Sequence, residues 1–319
     1  MKTKTAICGL SSSKELAKSL SKKLKFEYIE VEKQKFKNGE MLTQIKNSVR
    51  GKNVYVVQST GYPSSENIME LMIFLDAVKR SSAQSVSVIM PYYGYSRQDR
   101  KAKGRQPITA KLISDMIELM GVKRLITFDL HSSQIQGFFD IPVDDLKTIY
   151  LIENLINNLK LKDITVVSPD HGGINRARVI SKLLNSPITI LDKRRPDINK
   201  SEVLNVLGEP MNNKNVIIVD DMIDTGGTII NTLKLAEKNG AKSAHVFCTH
   251  GIFSDGAIKK IVESKILKSI YMSNTIETNL DDYRKISPKV KIYKIDDLLA
   301  KVIDAQVNQN SISNLYKEK

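Results

Sequence analysis

The chain is organised by an alternation. Short apolar runs rich in β-branched residues recur at Val54–Val57, Val86–Met90, Leu125–Phe128, Ile164–Val167, Ile188–Leu191 and Val216–Val219. Between several of them lie stretches with helical spacing, Asn67–Lys79, Thr109–Met120 and Thr228–Lys238. Strands joined through helices return in the same direction, so the pattern predicts an α/β fold of mainly parallel sheets flanked by helices. In such sheets ligands sit outside the C-terminal strand ends. The residues just after each apolar run are therefore where chemistry is expected.

The alternation contains a repeat. "KNVYVVQST" from Lys52 resembles "KNVIIVDDM" from Lys214, and "SSAQSVSV" from Ser81 resembles "NGAKSAHV" from Asn239. Each pair encloses a helical stretch, which predicts two similar α/β domains, 1–145 and 146–300, and a tail at 301–319. The copies differ at the strand end. The first has Gln58-Ser59-Thr60 where the second has Asp220-Asp221-Met222, and only the second continues into "DTGGT".

A length of 319 residues suits two domains. Lysine plus arginine number 49 against 35 acids, a formal charge of +14. The lysines are spread from end to end without an aromatic-interleaved basic tract, so the excess favours a small anionic substrate over nucleic acid. No apolar run reaches the roughly 18 residues of a membrane span. Two cysteines, Cys8 and Cys248, are too few for a disulfide framework, and the N-terminus lacks an export-signal pattern. A cytoplasmic protein with reduced thiols is expected.

The stretch "VIIVDDMIDTGGT" from Val216 concentrates the chemistry. Glycines let backbone N–H groups approach a ligand, and the N-terminus of the following helix attracts anions, phosphate above all. Carboxylates would repel phosphate, so Asp220 and Asp221 are expected to face vicinal sugar hydroxyls or a metal bridging sugar and phosphate. The simpler reading is an acidic turn in which Asp224 or Thr225 caps the helix.

Other stretches add cations and ligand pairs. There is no P-loop motif. "SRQDRKAKGRQP" sets Arg97, Arg100, Lys101, Lys103 and Arg105 around Asp99 in a loop that could close over a polyphosphate. "DLH" places Asp129 and His131 two apart at a strand end, and "SPDHGG" places Asp170 and His171 before two glycines. "DKRRP" carries Lys193 and Arg195 after a strand, and "FKNGE" from Phe36 reads as a turn.

Together, and in this order, these stretches resemble the class I phosphoribosyl pyrophosphate (PRPP) synthetases, with two phosphoribosyltransferase-like domains of type I. The resemblance runs from about residue 5 to 300. It implies transfer of the β,γ-diphosphoryl group of ATP to the C1 hydroxyl of ribose 5-phosphate, giving PRPP and AMP for nucleotide biosynthesis. It implies that Phe36 stacks on adenine, that Asn38, Gly39 and Glu40 line its pocket, and that Arg97 and Gln98 contact ATP. Mg²⁺ falls to His131 and Asp170, with Asp129 a weaker addition. Lys193 becomes catalytic with Arg195 assisting, and ribose 5-phosphate falls to Arg195, Asp220, Asp224, Thr225, Gly226, Gly227 and Thr228. A homohexamer, activation by phosphate and inhibition by ADP are implied in the same way. "SISNLYKEK" resembles the family's regulatory tail, with Ser311, Ser313 and Tyr316. The chain departs from the common pattern at Lys103 and Gly104, where relatives commonly carry arginine and serine, and at Gly226, where they often carry alanine. The last departure is expected to matter little. A non-catalytic regulatory homologue and a type I phosphoribosyltransferase are the alternatives.

Overall fold

The computed structural model describes residues 4–194, 203–278 and 280–313. They form two compact units. The first holds the chain to Leu146 and takes it up again at Asn274–Glu277 and from Lys294; the second holds Lys147–Ser273 and Thr278–Tyr293.

The first unit runs β1 (Thr5–Gly9), α1 (Lys14–Leu24), β2 (Glu27–Tyr28), β3 (Val31–Lys35), β4 (Met41–Ile45), β5 (Asn53–Val57), α2 (Ser64–Arg80), β6 (Ser85–Met90), α3 (Thr109–Leu119), β7 (Arg124–Phe128) and β8 (Val143–Leu146). Six of these strands form a parallel sheet in the order β2-β1-β5-β6-β7-β8, while β3 and β4 make a separate antiparallel hairpin.

The second unit runs α4 (Ile149–Asn158), β9 (Ile164–Ser168), α5 (Ile174–Leu183), β10 (Ile188–Arg194), β11 (Val203–Gly208), β12 (Asn215–Ile223), α6 (Gly227–Lys238), β13 (Ser243–Gly251), α7 (Ala257–Val262), β14 (Leu267–Ser273), α8 (Leu280–Ile286) and β15 (Val290–Tyr293). Its sheet is ordered β11-β10-β9-β12-β13-β14-β15 and is parallel except for β11.

Central strands read as unbroken apolar runs because helices cover both faces. On β12, Val216 and Ile218 join one core with Leu233 of α6. Ile217 and Val219 point the other way, into a core with Ile152 of α4 and Ile180 of α5. The repeat is visible in this frame. β5 lies between β1 and β6, as β12 lies between β9 and β13. Ser85 Oγ donates to Asn53 Oδ1 at 2.6 Å, and Ser243 Oγ donates to Asn215 Oδ1 at 2.6 Å. The same Asn–Ser pair thus ties matching strands in both units.

The C-terminal segment departs from the expected division at 300. Lys301–Val307, expected in a tail, complete helix α9 (Asp296–Val307), which belongs to the first unit. The cause is polar. Buried Asp296 accepts hydrogen bonds from Ser19 Oγ (2.5 Å) and Asn274 Nδ2 (2.8 Å), and Gln306 Nε2 donates to Asp144 Oδ2 at 2.7 Å. Tyr316 lies outside the described residues; Ser311 and Ser313 share a 2.8 Å hydrogen bond. No described helix is long and apolar enough to cross a membrane.

Candidate active site

In the second unit the acids do not follow the strand; they are part of it. β12 continues four residues beyond the apolar run because β13 goes on pairing with it, through Asp220↔Cys248 to Ile223↔Gly251. On its other side β9 ends at Ser168, and its last partner on β12 is Ile218. β10 also overruns β9, whose Ser168 pairs with Ile190. The strand expected to end at Leu191 therefore runs further: Asp192, Lys193 and Arg194 belong to it, held by the antiparallel neighbour β11 through Lys193↔Leu204. The result is a notch at the end of β9, with Lys193 on one flanking strand and Asp220-Asp221 on the other. Arg195 lies outside the described residues.

The loop that leaves β9 at this notch is the "SPDHGG" segment. Ser168 Oγ donates to the Asp170 carbonyl (2.8 Å), and Asp170 Oδ1 accepts the Gly173 N–H (3.0 Å), so the loop closes on itself and launches α5. One turn into α5, Arg176 Nη1 lies 3.4 Å from Oδ1 of both Asp220 and Asp221. The Asp221 N–H donates to Asp220 Oδ1 at 2.9 Å. Asp220 is 14% exposed and Asp221 8%. Burial, then the neighbouring Asp221 charge, push the Asp220 carboxyl well above the usual carboxylate range; Arg176 opposes them and Asp170 adds to them. Arg176 was not singled out from the sequence. Its cue, an arginine on the helix after the strand beside the acids, has meaning only once β9 and β12 are known to be neighbours.

Asp224 and Thr225 form the turn after β12, and neither occupies the N-cap position. The N-cap of α6 is Gly226, in the left-handed region at φ 77°, with no side-chain cap hydrogen bond. Thr228 lies in the first turn. A Cβ on Gly226 would sit 2.9 Å from Ile261 Cδ1 and 3.3 Å from Ala257 Cβ, whereas one on Gly227 would meet nothing within 4 Å. The helix thus starts on a glycine N-cap with open space at the next Cβ, an arrangement that suits a phosphate.

In the first unit, Phe36–Glu40 form the tip of the β3–β4 hairpin. The Phe36 N–H donates to the Glu40 carbonyl, the Gly39 N–H to the Phe36 carbonyl, and the Glu40 N–H to Asn38 Oδ1, with Gly39 at φ 93°. Phe36 is 43% exposed, an apolar ring offered to solvent. Arg97 and Gln98 line a hollow of about 350 Å³ with Ser64, Tyr92 and Tyr95. Beyond them the basic loop is exposed, and Gln106 Oε1 pins it by accepting the Ala102 and Lys103 N–H groups. A Cβ at Gly104 would meet nothing within 4 Å, so nothing in the chain demands glycine there. Asp129, buried at φ 38°, directly follows β7 with its N–H on the Leu146 carbonyl, and His131 is exposed two residues on. Among the described residues, no three His, Cys, Asp or Glu side chains gather into a metal-binding group.

Comparison with known proteins agrees with this division. The family model for the N-terminal domain of ribose phosphate pyrophosphokinase matches residues 5–121, and that for the phosphoribosyl transferase domain matches 145–284. The ribose-phosphate pyrophosphokinase of Fusobacterium nucleatum is 46% identical over 308 residues, covering 96% of each chain. That of Bacillus caldolyticus is 43% identical, covering 97% of this chain and 96% of its own. The crystal structure of phosphoribosylpyrophosphate synthetase from Mycobacterium smegmatis superposes with a TM-score of 0.89 at 34% identity, over 96% of this chain and all of that one. The chain belongs to the ribose-phosphate pyrophosphokinase family.

Proposed function

We infer that the chain is an ATP-dependent diphosphotransferase that makes PRPP and AMP from ATP and ribose 5-phosphate. The observation that carries this reading is the notch at the end of β9, flanked by acids on β12 and by Lys193 on β10, beside the glycine N-cap of α6. A sugar phosphate has both features the notch selects, vicinal hydroxyls for carboxylates and an anion for a helix start. Asp220 accepts ribose hydroxyls, and Asp224, Thr225, Gly226, Gly227 and Thr228 wrap the 5-phosphate. Phe36, Asn38, Gly39, Glu40, Arg97 and Gln98 hold ATP.

Little covalent chemistry falls to the protein in such a transfer. The C1 oxygen attacks the β-phosphorus in line, and cations stabilise the charge spread over the transferring group. Lys193 and Arg195 are assigned to supply that charge, and Arg195 is also assigned to ribose 5-phosphate. We assign His131, Asp170 and Asp129 to Mg²⁺, which would supply positive charge against the polyphosphate. Carboxylate and imidazole are donor types that Mg²⁺ can take, oxygen being preferred. Mg²⁺ held by few protein ligands takes the rest from water and substrate. We further assign a homohexamer, phosphate as activator and ADP as inhibitor.

Incubation with ribose 5-phosphate and Mg-ATP, followed by chromatography, should yield AMP and PRPP in equal amounts. Lys193→Ala should lower kcat by about 10²–10³ with substrate binding retained; near-normal turnover would remove Lys193 from the mechanism. Sedimentation and ADP titration at several phosphate concentrations test assembly and regulation.

A further inference from the structure

The hairpin β3–β4 shares no strand pairing with the six-stranded sheet of its unit. A lone two-stranded hairpin is marginal in water, so other contacts must fix it. Val31 and Ile45 rest against the first core. Strand β4 packs along α2 with Thr43 buried, and ionic contacts from β3 add to that grip. Lys33 Nζ lies 2.9 Å from Oε2 of Glu70, a side chain only 1% exposed. Glu70 also accepts the Ser11 N–H (3.1 Å), the Ser11 hydroxyl (2.6 Å) and Gln58 Nε2 (3.3 Å). Lys33 Nζ donates to Ser11 Oγ as well, at 3.1 Å. Two residues on, Lys35 Nζ is 3.0 Å from Glu66 Oε1.

The spacing explains why both pairs form. Strand residues i and i+2 share a face about 6.6 Å apart, and helix residues i and i+4 share one about 6 Å apart. One face of β3 thus meets one face of α2 at two points. The outer pair is half-exposed and worth little. The inner pair is different, because a carboxylate buried among several donors has one place to be.

We propose that Lys33 and Glu70 are positioning residues for the nucleotide, fixing where the hairpin tip Phe36–Glu40 stands. The proposal rests on the reading of that tip as the adenine site. Neither residue touches substrate in it; each acts through the hairpin.

The test is Lys33→Met in the full chain, which leaves Glu70 its neutral donors, with Lys33→Arg as the conservative variant. Lys33→Met should raise KM for ATP about tenfold, the weight of one charged hydrogen bond. KM for ribose 5-phosphate and kcat should stay within about twofold, and Lys33→Arg should restore most of the loss. Hydrogen exchange should quicken at residues 31–45 and not elsewhere. Unchanged KM for ATP, or an equal rise for both substrates, overturns the proposal. Phe36→Ala separates it from the reading beneath it. If Phe36→Ala raises KM for ATP and Lys33→Met does not, the tip binds ATP and the anchor is wrong. If Phe36→Ala changes nothing, the adenine reading falls and takes the nucleotide role of the anchor with it.

Discussion

The two units carry the same strand end in two chemical versions. On β5, Gln58 is fully buried and its amide is used up inside the unit. Its Oε1 accepts the Ser12 N–H (3.2 Å) and hydroxyl (2.8 Å), and its Nε2 donates to the Asn67 carbonyl (3.2 Å) and to Glu70. The Ser59 N–H donates to Ser13 Oγ at 2.9 Å. The Ser11-Ser12-Ser13 loop after β1 is thereby folded down onto the edge. On β12 the matching residues are two carboxylates against one guanidinium, and the loop after β9 satisfies its own turn instead. A closed edge is stable and inert. An edge that keeps crowded charge costs stability and can bind.

The largest expected effect comes from removing that charge. Asp220→Asn should lower kcat/KM for ribose 5-phosphate by about 10²–10³, the scale of taking one charged hydrogen bond out of a desolvated site. It should also raise the melting temperature of the ligand-free protein by a few degrees. The sign follows from linkage. A carboxyl whose folded pKa lies above its unfolded value contributes stability in acid and loses it as pH rises through the folded pKa, so the ionised group is a burden at pH 7. Kinetics and thermal scans on the same variant check both halves. Equilibrium dialysis should count one ribose 5-phosphate per chain; two would mean that the Gln58 edge binds after all.

Acid should separate the units next. His245 of β13 occupies the position that Ser87 has on β6, and it is buried with its Nδ1 2.7 Å from Ser269 Oγ. Burial, then Lys291 and Lys268, lower its pKa to about 4. With a depressed folded pKa, the unfolded chain binds the extra proton between the ordinary value of about 6.5 and 4, so stability falls as pH drops through that window. The loss by pH 4 is about 3 kcal/mol. His245→Gln should flatten this slope in denaturant titrations run from pH 7 to 4. Hydrogen exchange should show the wild-type loss first in the second unit; an equal loss in both would erase the distinction.

Arg176→Met tests what holds the open edge together. Without this cation the paired carboxylates repel more strongly, and their protonation moves to higher pH. KM for ribose 5-phosphate should rise about tenfold, and the acid limb of kcat/KM should move upward in pH. Arg176→Lys should recover only part, because a strongly hydrated ammonium on a flexible stem lacks the rigid planar fork of the guanidinium.

These contrasts show where sequence carried the fold and where it did not. The alternation located every central strand it named, and the Asn53–Ser85 and Asn215–Ser243 bonds lie within the repeated words themselves. Strand ends were less legible. β12 and β10 outrun their apolar residues because β13 and β11 supply backbone partners, and backbone pairing is indifferent to side-chain polarity. The polar strands β3 and β8 carry little periodic signal for the same reason. Arg176 was invisible because its role depends on strand order, and Glu70 and Lys33 because theirs depends on how the β3–β4 hairpin lies on α2. The return of α9 to the first unit turns on single polar partners of Asp296, which no local pattern announces.

The smallest effect concerns the glycine turn that only the second unit owns. Relatives often carry alanine at the place of Gly226, and on sequence grounds the exchange looks neutral. The backbone argues otherwise, since φ is 77° there and an alanine methyl would press on Ile261. The left-handed conformation costs an L-residue about 1 kcal/mol. Ile261 Cδ1 is the far end of a flexible side chain, so its displacement adds little. Gly226→Ala should therefore destabilise the chain by about 1 kcal/mol in denaturant titration, while Gly227→Ala, with open space at its Cβ and a helical position, should be neutral or slightly stabilising. The kinetic consequences should run the other way. A methyl at Gly227 projects into the space beside the helix start, where the 5-phosphate is assigned, and should raise KM for ribose 5-phosphate more than Gly226→Ala does. If Gly226→Ala instead proves the more damaging to KM, the phosphate is held by the turn's backbone and not by the first turn of α6.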